Sequence, residues 1–359
     1  MAFDPIQEDC LRLVLESMRQ EHIYPLDNPI YVERCMRSYR KDPASLIHTD
    51  ADRSFHLTAK AAEVLDYRLP FLSDENEADR QAELADNYLQ EALELNEANW
   101  DAKRMLAALD AESNDAYVDY LLENRDAVKA DLDAAVADAS DPYSEEYASD
   151  LARRPYLRWL AAIASRALIA GRYKLSYQVA EESLAFEPQD PSDVRHTAML
   201  ALAKLEATSD ELATFHARHE AAYRSPAAHA RRRHRKNERD AWWLIADMNA
   251  SYRALDFDGA NAVLGEILRT YPKAAEPLYY QAEFPDGLYA RLNVEPKSED
   301  ELIIALSEAT PLLQEGYGAP DNASFSLWIA DNEQVQRELD KQSPRFESFS
   351  NARRSGGDN

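Results

Sequence analysis

The chain has 359 residues and a formal net charge of −26, enough length for a sizeable core and for more than one domain. That charge disfavours bulk binding to nucleic acid or an anionic membrane. Eight glycines, about 2% against a usual ~7%, all at Gly171 or later, speak against Gly-rich nucleotide loops and for long helices, since turns needing positive φ are the main users of glycine.

In chain order, the first element is a helix over 5–22. Ile6, Cys10, Leu13, Val14 and Ser17 share one face, Asp4 stands at the N-cap and Pro5 at the first helical position. This N-terminus has neither a basic lead nor an uninterrupted apolar core, so no signal peptide is expected. No stretch reaches the ~18 apolar residues of a membrane span. Cys10 and Cys35 are read as two buried thiols of a cytoplasmic protein. Pro25 and Pro29 break the chain, and shorter helices are expected near 30–40 and 54–67. Residues 1–72 form an N-terminal helical cap in this reading.

Acidic helical hairpins follow over 73–138. Ala82, Ala85, Leu89, Ala92 and Leu95 make one stripe; Ala102, Met105, Leu106 and Leu109 make the next; a third helix restarts at Asn114. Between Asp74 and Asp150 stand 23 acids and 5 bases. "ASDPYSEEY" at 139–147 reads as an internal boundary. Beyond it, "RRPYLRWLAAIASRA" and "GRYKLSYQVAEESLAFEP" make a hairpin turning at Gly171, and "WWLIADMNASYR" with "LDFDGANAVLGEILRTYP" makes another over 241–271. Pro277, Pro285 and Pro296 then shorten the elements of a C-terminal cap (273–342), with helices expected at 298–315 and 321–340 before a disordered tail at 343–359.

Aligning Pro188 with Pro272 places Tyr173 opposite Phe257 and Ser176 opposite Ala260. An aromatic in the turn, small residues in the second helix and a closing Pro give this register its resemblance to the tetratricopeptide repeat, a helical hairpin of ~34 residues. "SDELATFHARHEAAYRSP" is a weaker copy, and "ELADNYLQEALELNEANW" matches one second helix; good matches cover roughly a third of the chain. The repeat's Trp-x-x-Leu-Gly is absent, and Asp247 stands where an apolar residue is usual. The resemblance implies an all-α, TPR-like α-solenoid of antiparallel helix hairpins, with TPR-like acidic hairpins at 73–138 and TPR-like repeats at 148–272. Solenoids of this kind expose a long concave surface, and the repeat offsets assign Arg158, His196, Trp242, Asn249 and Tyr252 to it as peptide-groove candidates.

Motifs for chemistry are sparse. No Walker or dinucleotide glycine pattern, no G-x-S-x-G and no H-E-x-x-H occurs. His48, Asp50, Asp52 and His56 lie close in sequence, as do His216, His219 and Glu220. Helix caps and polar helix faces account for such spacings more often than a metal does, so neither metal nor cofactor is assigned. A basic run is more distinctive: Arg224 to Arg239 carries seven bases against one acid. Arg231, Arg232, Arg233 and Arg235 are candidate anion-binding residues, because guanidinium binds carboxylate and phosphate bidentately. Pairing with the chain's own acidic hairpins, or with those of a second copy in a homodimer, is the favoured role. The expected function is a non-enzymatic scaffold binding a protein or peptide in its concave groove. The alternative is a helical-repeat regulator that engages nucleic acid or an anionic ligand through the Arg cluster.

Overall fold

In the computed structural model, Asp4 opens α1 (Pro5–Glu21) by accepting the amides of Ile6 and Gln7 at 2.9 Å each, relieving donors that a helix start leaves unpaired. Asn28 caps α2 (Pro29–Lys41) in the same way. Thr49 and Asp52 form a reciprocal capping box at α3 (Asp50–Ala62), which winds on through a wider π turn at Glu63–Arg68. Asp74 caps α4 (Glu75–Leu95) and Asn99 caps α5 (Trp100–Asp110). Two 25-residue helices follow, α6 (Asn114–Asp138) and α7 (Glu145–Ile169). The structure describes residues 4–23, 28–138, 145–224, 238–281, 294–314 and 325–342. All regular elements among them are helical.

These residues fall into two compact units, one of 4–170 and 178–194, the other of 171–177, 195–281, 294–314 and 325–342. In the first unit, Leu13, Met18, Tyr31, Cys35 and Tyr39 join α1 to α2. Leu57, Ala61, Ala85, Leu89 and Ala102 join α3, α4 and α5. Ala61, Ala85, Ala92 and Ala102 are fully enclosed; small side chains at a crossing let two backbones approach. Helices α6 and α7 pack along their lengths, and Trp159 donates its indole N–H to the Leu121 carbonyl at 2.8 Å. The helices on either side of 139–147 therefore belong to one packed pair within one unit. Residues 139–144 themselves lie outside the described residues.

The boundary between units falls within α8 (Tyr173–Phe186) and at the start of α9 (Val194–Lys204). Gly171, at φ +78°, takes the left-handed turn before α8 that the hairpin needs. The second unit continues with α10 (Ser209–Arg218), α11 (Glu220–Arg224), α12 (Ala241–Arg253) and α13 (Phe257–Thr270). It ends with α14 (Ala275–Tyr280), α15 (Glu299–Glu308), α16 (Thr310–Leu313), α17 (Phe325–Ala330) and α18 (Glu333–Gln342). Its centre is α12, against which α10, α13 and α15 pack through Leu244, Ile245, Met248, Ala260, Leu264 and Leu302. Asp256 caps α13 through the Gly259 amide at 2.9 Å; a Cβ on Gly259 would lie 2.3 Å from that carboxylate, so a larger residue there would displace the capping side chain.

The helices expected at 298–315 and 321–340 are each two. Pro311 lacks an amide hydrogen, and α16 begins just before it. Asn332 starts α18 afresh by accepting the Gln334 amide. No helix of the described residues is long and apolar enough to cross a membrane.

Candidate functional site

Three helices of the first unit meet through charges. Arg158 of α7 donates Nε to Asp101 Oδ1 at 2.7 Å and Nη1 to Glu8 Oε2 at 2.8 Å, and its Nη2 bonds both carboxylates. Arg12 adds two bonds to Glu8 Oε1, and Arg154 lies 3.3 Å from Glu8 Oε2. Glu8 is fully enclosed, and Asp101 and Arg158 nearly so. Burial alone would raise the Glu8 pKa; the guanidinium of Arg158, with Arg12 and Arg154, outweighs it and holds the carboxyl well below the usual carboxylate range. Asp101 follows the same logic, with burial opposed and overcome by Arg158 and Arg104. Arg158 in turn is held charged by the two carboxylates against its own desolvation.

Beside this network lies Asp9, also fully enclosed. Its Oδ2 accepts the Tyr39 hydroxyl and meets His56 Nδ1, both at 2.7 Å. Burial first, and then the Asp9 charge, push the Tyr39 phenol well above its ordinary pKa, so it stays a donor. Asp9 Oδ1 is enclosed and has no hydrogen-bond partner.

Both groups border a cleft of about 450 Å³ walled by α1, α3, α6, α7 and the turn into α5. Asp9 and Asp101 contribute to its lining, Phe55 and Trp100 supply aromatic walls, and Ala51 and Ala98 are exposed lining residues. Arg12 lies over the Phe55 ring at 4.3 Å and donates to the Leu151 carbonyl at 2.7 Å. The Trp100 indole N–H bonds Asp131, and its ring meets Trp159 edge-on. Asn99 holds the turn by donating to Ser54 and Thr58 of α3 while its oxygen caps α5.

The five groove candidates do not share a unit: Arg158 belongs to the first, the other four to the second. Arg158 does not offer a free guanidinium to a groove, because it is buried and bonded to Glu8 and Asp101. His196 and Trp242, both buried, stack face to face at 3.8 Å, and the Trp242 indole N–H bonds Glu308. Asn249 is fully enclosed, with neither end of its amide hydrogen-bonded. Tyr252 is half-buried against Phe257, Phe325 and Trp328. Within the second unit, aromatic packing on neighbouring helices accounts for His196, Trp242 and Tyr252. The anion-binding candidates Arg231, Arg232, Arg233 and Arg235 lie outside the described residues. From the same basic run, Arg239 pairs with Asp247 and Glu266. The acid at the repeat's usual apolar position thus meets a guanidinium.

Several residues of the two histidine leads have partners within the protein. Asp52 caps α3 through the Thr49 amide, His56 bonds Asp9, and His216 stacks on Trp243. Among the described residues no group of three or more His, Cys, Asp or Glu side chains is placed to hold a metal ion. No family model, curated protein or solved structure matches the chain.

Sequence reasoning missed Glu8, Asp9 and Asp101. Its one usable signal was Glu8 four residues before Arg12, a pair that bonds across one helical turn.

Proposed function

We propose that the chain is a non-enzymatic, cytoplasmic scaffold of TPR-like hairpins, an α-solenoid, that binds an extended segment of a protein or peptide in the cleft of its first unit. The observation that carries this reading is the cleft itself: about 450 Å³, within the range of ligand sites, with Phe55 and Trp100 as aromatic walls and Ala51 and Ala98 exposed in its lining. Consecutive packed helices such as α6–α7 and α12–α13 support the hairpin architecture. An acyl-transfer reading of Asp9–His56 needs a nucleophile on the imidazole. Among the described residues no Ser, Thr or Cys side chain bonds His56, which favours binding.

A displayed library of random peptides, panned on the full chain and on Ala98→Trp, tests the proposal. Ala98 is exposed at the cleft, so an indole there obstructs entry without touching the ionic network. Peptides enriched on the wild type and absent from the variant are expected. No enrichment, or equal enrichment on both chains, would overturn the reading.

A further inference from the structure

We infer that Cys10 and Cys35 are a redox pair, which a low-molecular-weight disulfide oxidises to a reversible disulfide bond pinning α1 to α2. The pairing goes beyond the cleft reading and stands without it. These are the two cysteines of the whole chain, and both lie at one contact between the two helices. Two tyrosines set the register. On α2, Tyr31, Cys35 and Tyr39 follow every four residues and share a buried face. The Tyr31 hydroxyl donates to the Ser17 carbonyl and the Tyr39 hydroxyl reaches the Ile6 carbonyl, each at 3.2 Å. The helices therefore run in opposite directions, with Cys35 opposite the middle of the Ile6–Ser17 span. On α1, Cys10 and Leu13 hold that middle on the same stripe, and Cys10 packs on the cluster that contains Cys35. Helix axes about 8–10 Å apart, with Cα atoms on a radius of ~2.3 Å, bring facing Cα atoms to roughly 3.5–5.5 Å. A disulfide takes about 4.4–6.8 Å, so the two ranges overlap.

Access orders the steps. Cys10 is half-buried and Cys35 buried. The Cys10 thiolate attacks one sulfur of the small disulfide, forming a mixed disulfide and releasing one small thiol. The Cys35 thiolate then attacks the Cys10 sulfur, closing the Cys10–Cys35 bond and expelling the second. Two protein thiols are oxidised, and one small disulfide is reduced to two thiols that carry off both protons. Burial first, then the Asp9 charge and the Cys35 thiol, raise the Cys10 pKa, with Arg40 opposing. A raised pKa lowers the thiolate fraction, so closure is slow near pH 7. A reducing compartment leaves such a pair open until its disulfide pool rises. Helix α1 also carries Arg12 and Glu16 of the cleft lining, so the closed bond ties that wall to α2.

The test incubates the folded full chain with glutathione disulfide and weighs the intact protein and its unreduced proteolytic peptides by mass spectrometry. The expected product is a single chain that has lost two hydrogens and yields one peptide pair joined through Cys10 and Cys35. Dithiothreitol should reopen it. Cys35→Ala should stop at a mixed disulfide on Cys10, and Cys10→Ser should take up little glutathione. The same incubation in urea separates placement from chain linkage alone. The ratio of closed to mixed disulfide should be about tenfold or more higher in the folded chain. A wild-type chain that stops at the mixed disulfide, joins to a second chain or does not react overturns the pair. A ratio no higher folded than unfolded overturns it as well. Should either variant lose its helical circular dichroism, the wild-type masses and the urea comparison decide alone.

Discussion

In the first unit the buried charges meet one another: Glu8 and Asp101 share the guanidinium of Arg158, and Asp9 gathers Tyr39 and His56. In the second, buried imidazoles lie on indole faces, His196 on Trp242 at 3.8 Å and His216 on Trp243 at 4.2 Å. Of the second unit's buried carboxylates, Glu301 accepts from the Ala241 and Lys297 amides and the Tyr271 hydroxyl, and Asp247 pairs with Arg239. The contrast is one of tolerance. An ion network ties α1, α5 and α7 together through groups that are costly to leave alone, whereas stacking loses contact area gradually.

The sharpest break is Arg158→Met. It keeps most of the stem and leaves Glu8 and Asp101 buried without their main counter-charge. Breaking a buried pair from one side costs about 3–5 kcal/mol, readable by urea unfolding near neutral pH. The pH dependence should also change sign. In the wild type, both carboxyls have folded pKa values below their unfolded ones. They contribute stability above about pH 4.5 that is lost as pH falls through the folded values. Without Arg158, burial dominates and raises both pKa values. Mild acid should then stabilise the variant relative to neutral pH. A variant within about 1 kcal/mol of wild type, with unchanged acid sensitivity, would show that the network contributes little.

A packing change in the second unit should cost less. Ala260 is fully enclosed where α13 crosses α12. Ala260→Trp should overpack that crossing by roughly 1–3 kcal/mol, seen as a lower Tm. Unchanged stability would refute tight packing of α13 on α12 at this position.

Much of the local architecture was legible because its causes are local. Asp4 with Pro5, Thr49 with Asp52, and Gly171 each act within a few residues, and each does what its chemistry dictates. The candidate site was not legible, for a physical reason. Glu8 and Arg158 are 150 positions apart, so no window of sequence holds both. The apolar stripe of α1 runs through Ile6, Cys10 and Leu13 and leaves Glu8 and Asp9 off it, yet both are enclosed, with α3 and α7 packed against this helix. His56 stood out in sequence for its nearness to His48 and Asp52, but its partner is Asp9, 47 positions away. Arg158 stood out by its repeat offset, as a groove residue; in the structure its guanidinium is buried on Glu8 and Asp101.

The smallest effect sharpens the comparison from the other side, asking whether the stacked imidazoles carry any charge chemistry. His216 lies against Trp243 and Tyr223, both at 4.2 Å. Burial pulls its pKa below 6.5, with Glu220 at the start of α11 opposing. A folded pKa below the unfolded one means that the unfolded chain binds the extra proton. The stability linked to His216 is therefore present above about pH 6.5 and lost as pH falls below it. His216→Phe keeps a flat ring on Trp243 and removes the titration. Its cost near pH 7.5 should be under about 1 kcal/mol. Between roughly pH 7.5 and pH 5 the variant should lose less stability than the wild type, the other titrating groups being common to both. Parallel urea titrations at the two pH values measure this difference. Identical acid losses would mean that His216 is as easily protonated folded as unfolded, and that the second unit's stacking is indifferent to charge.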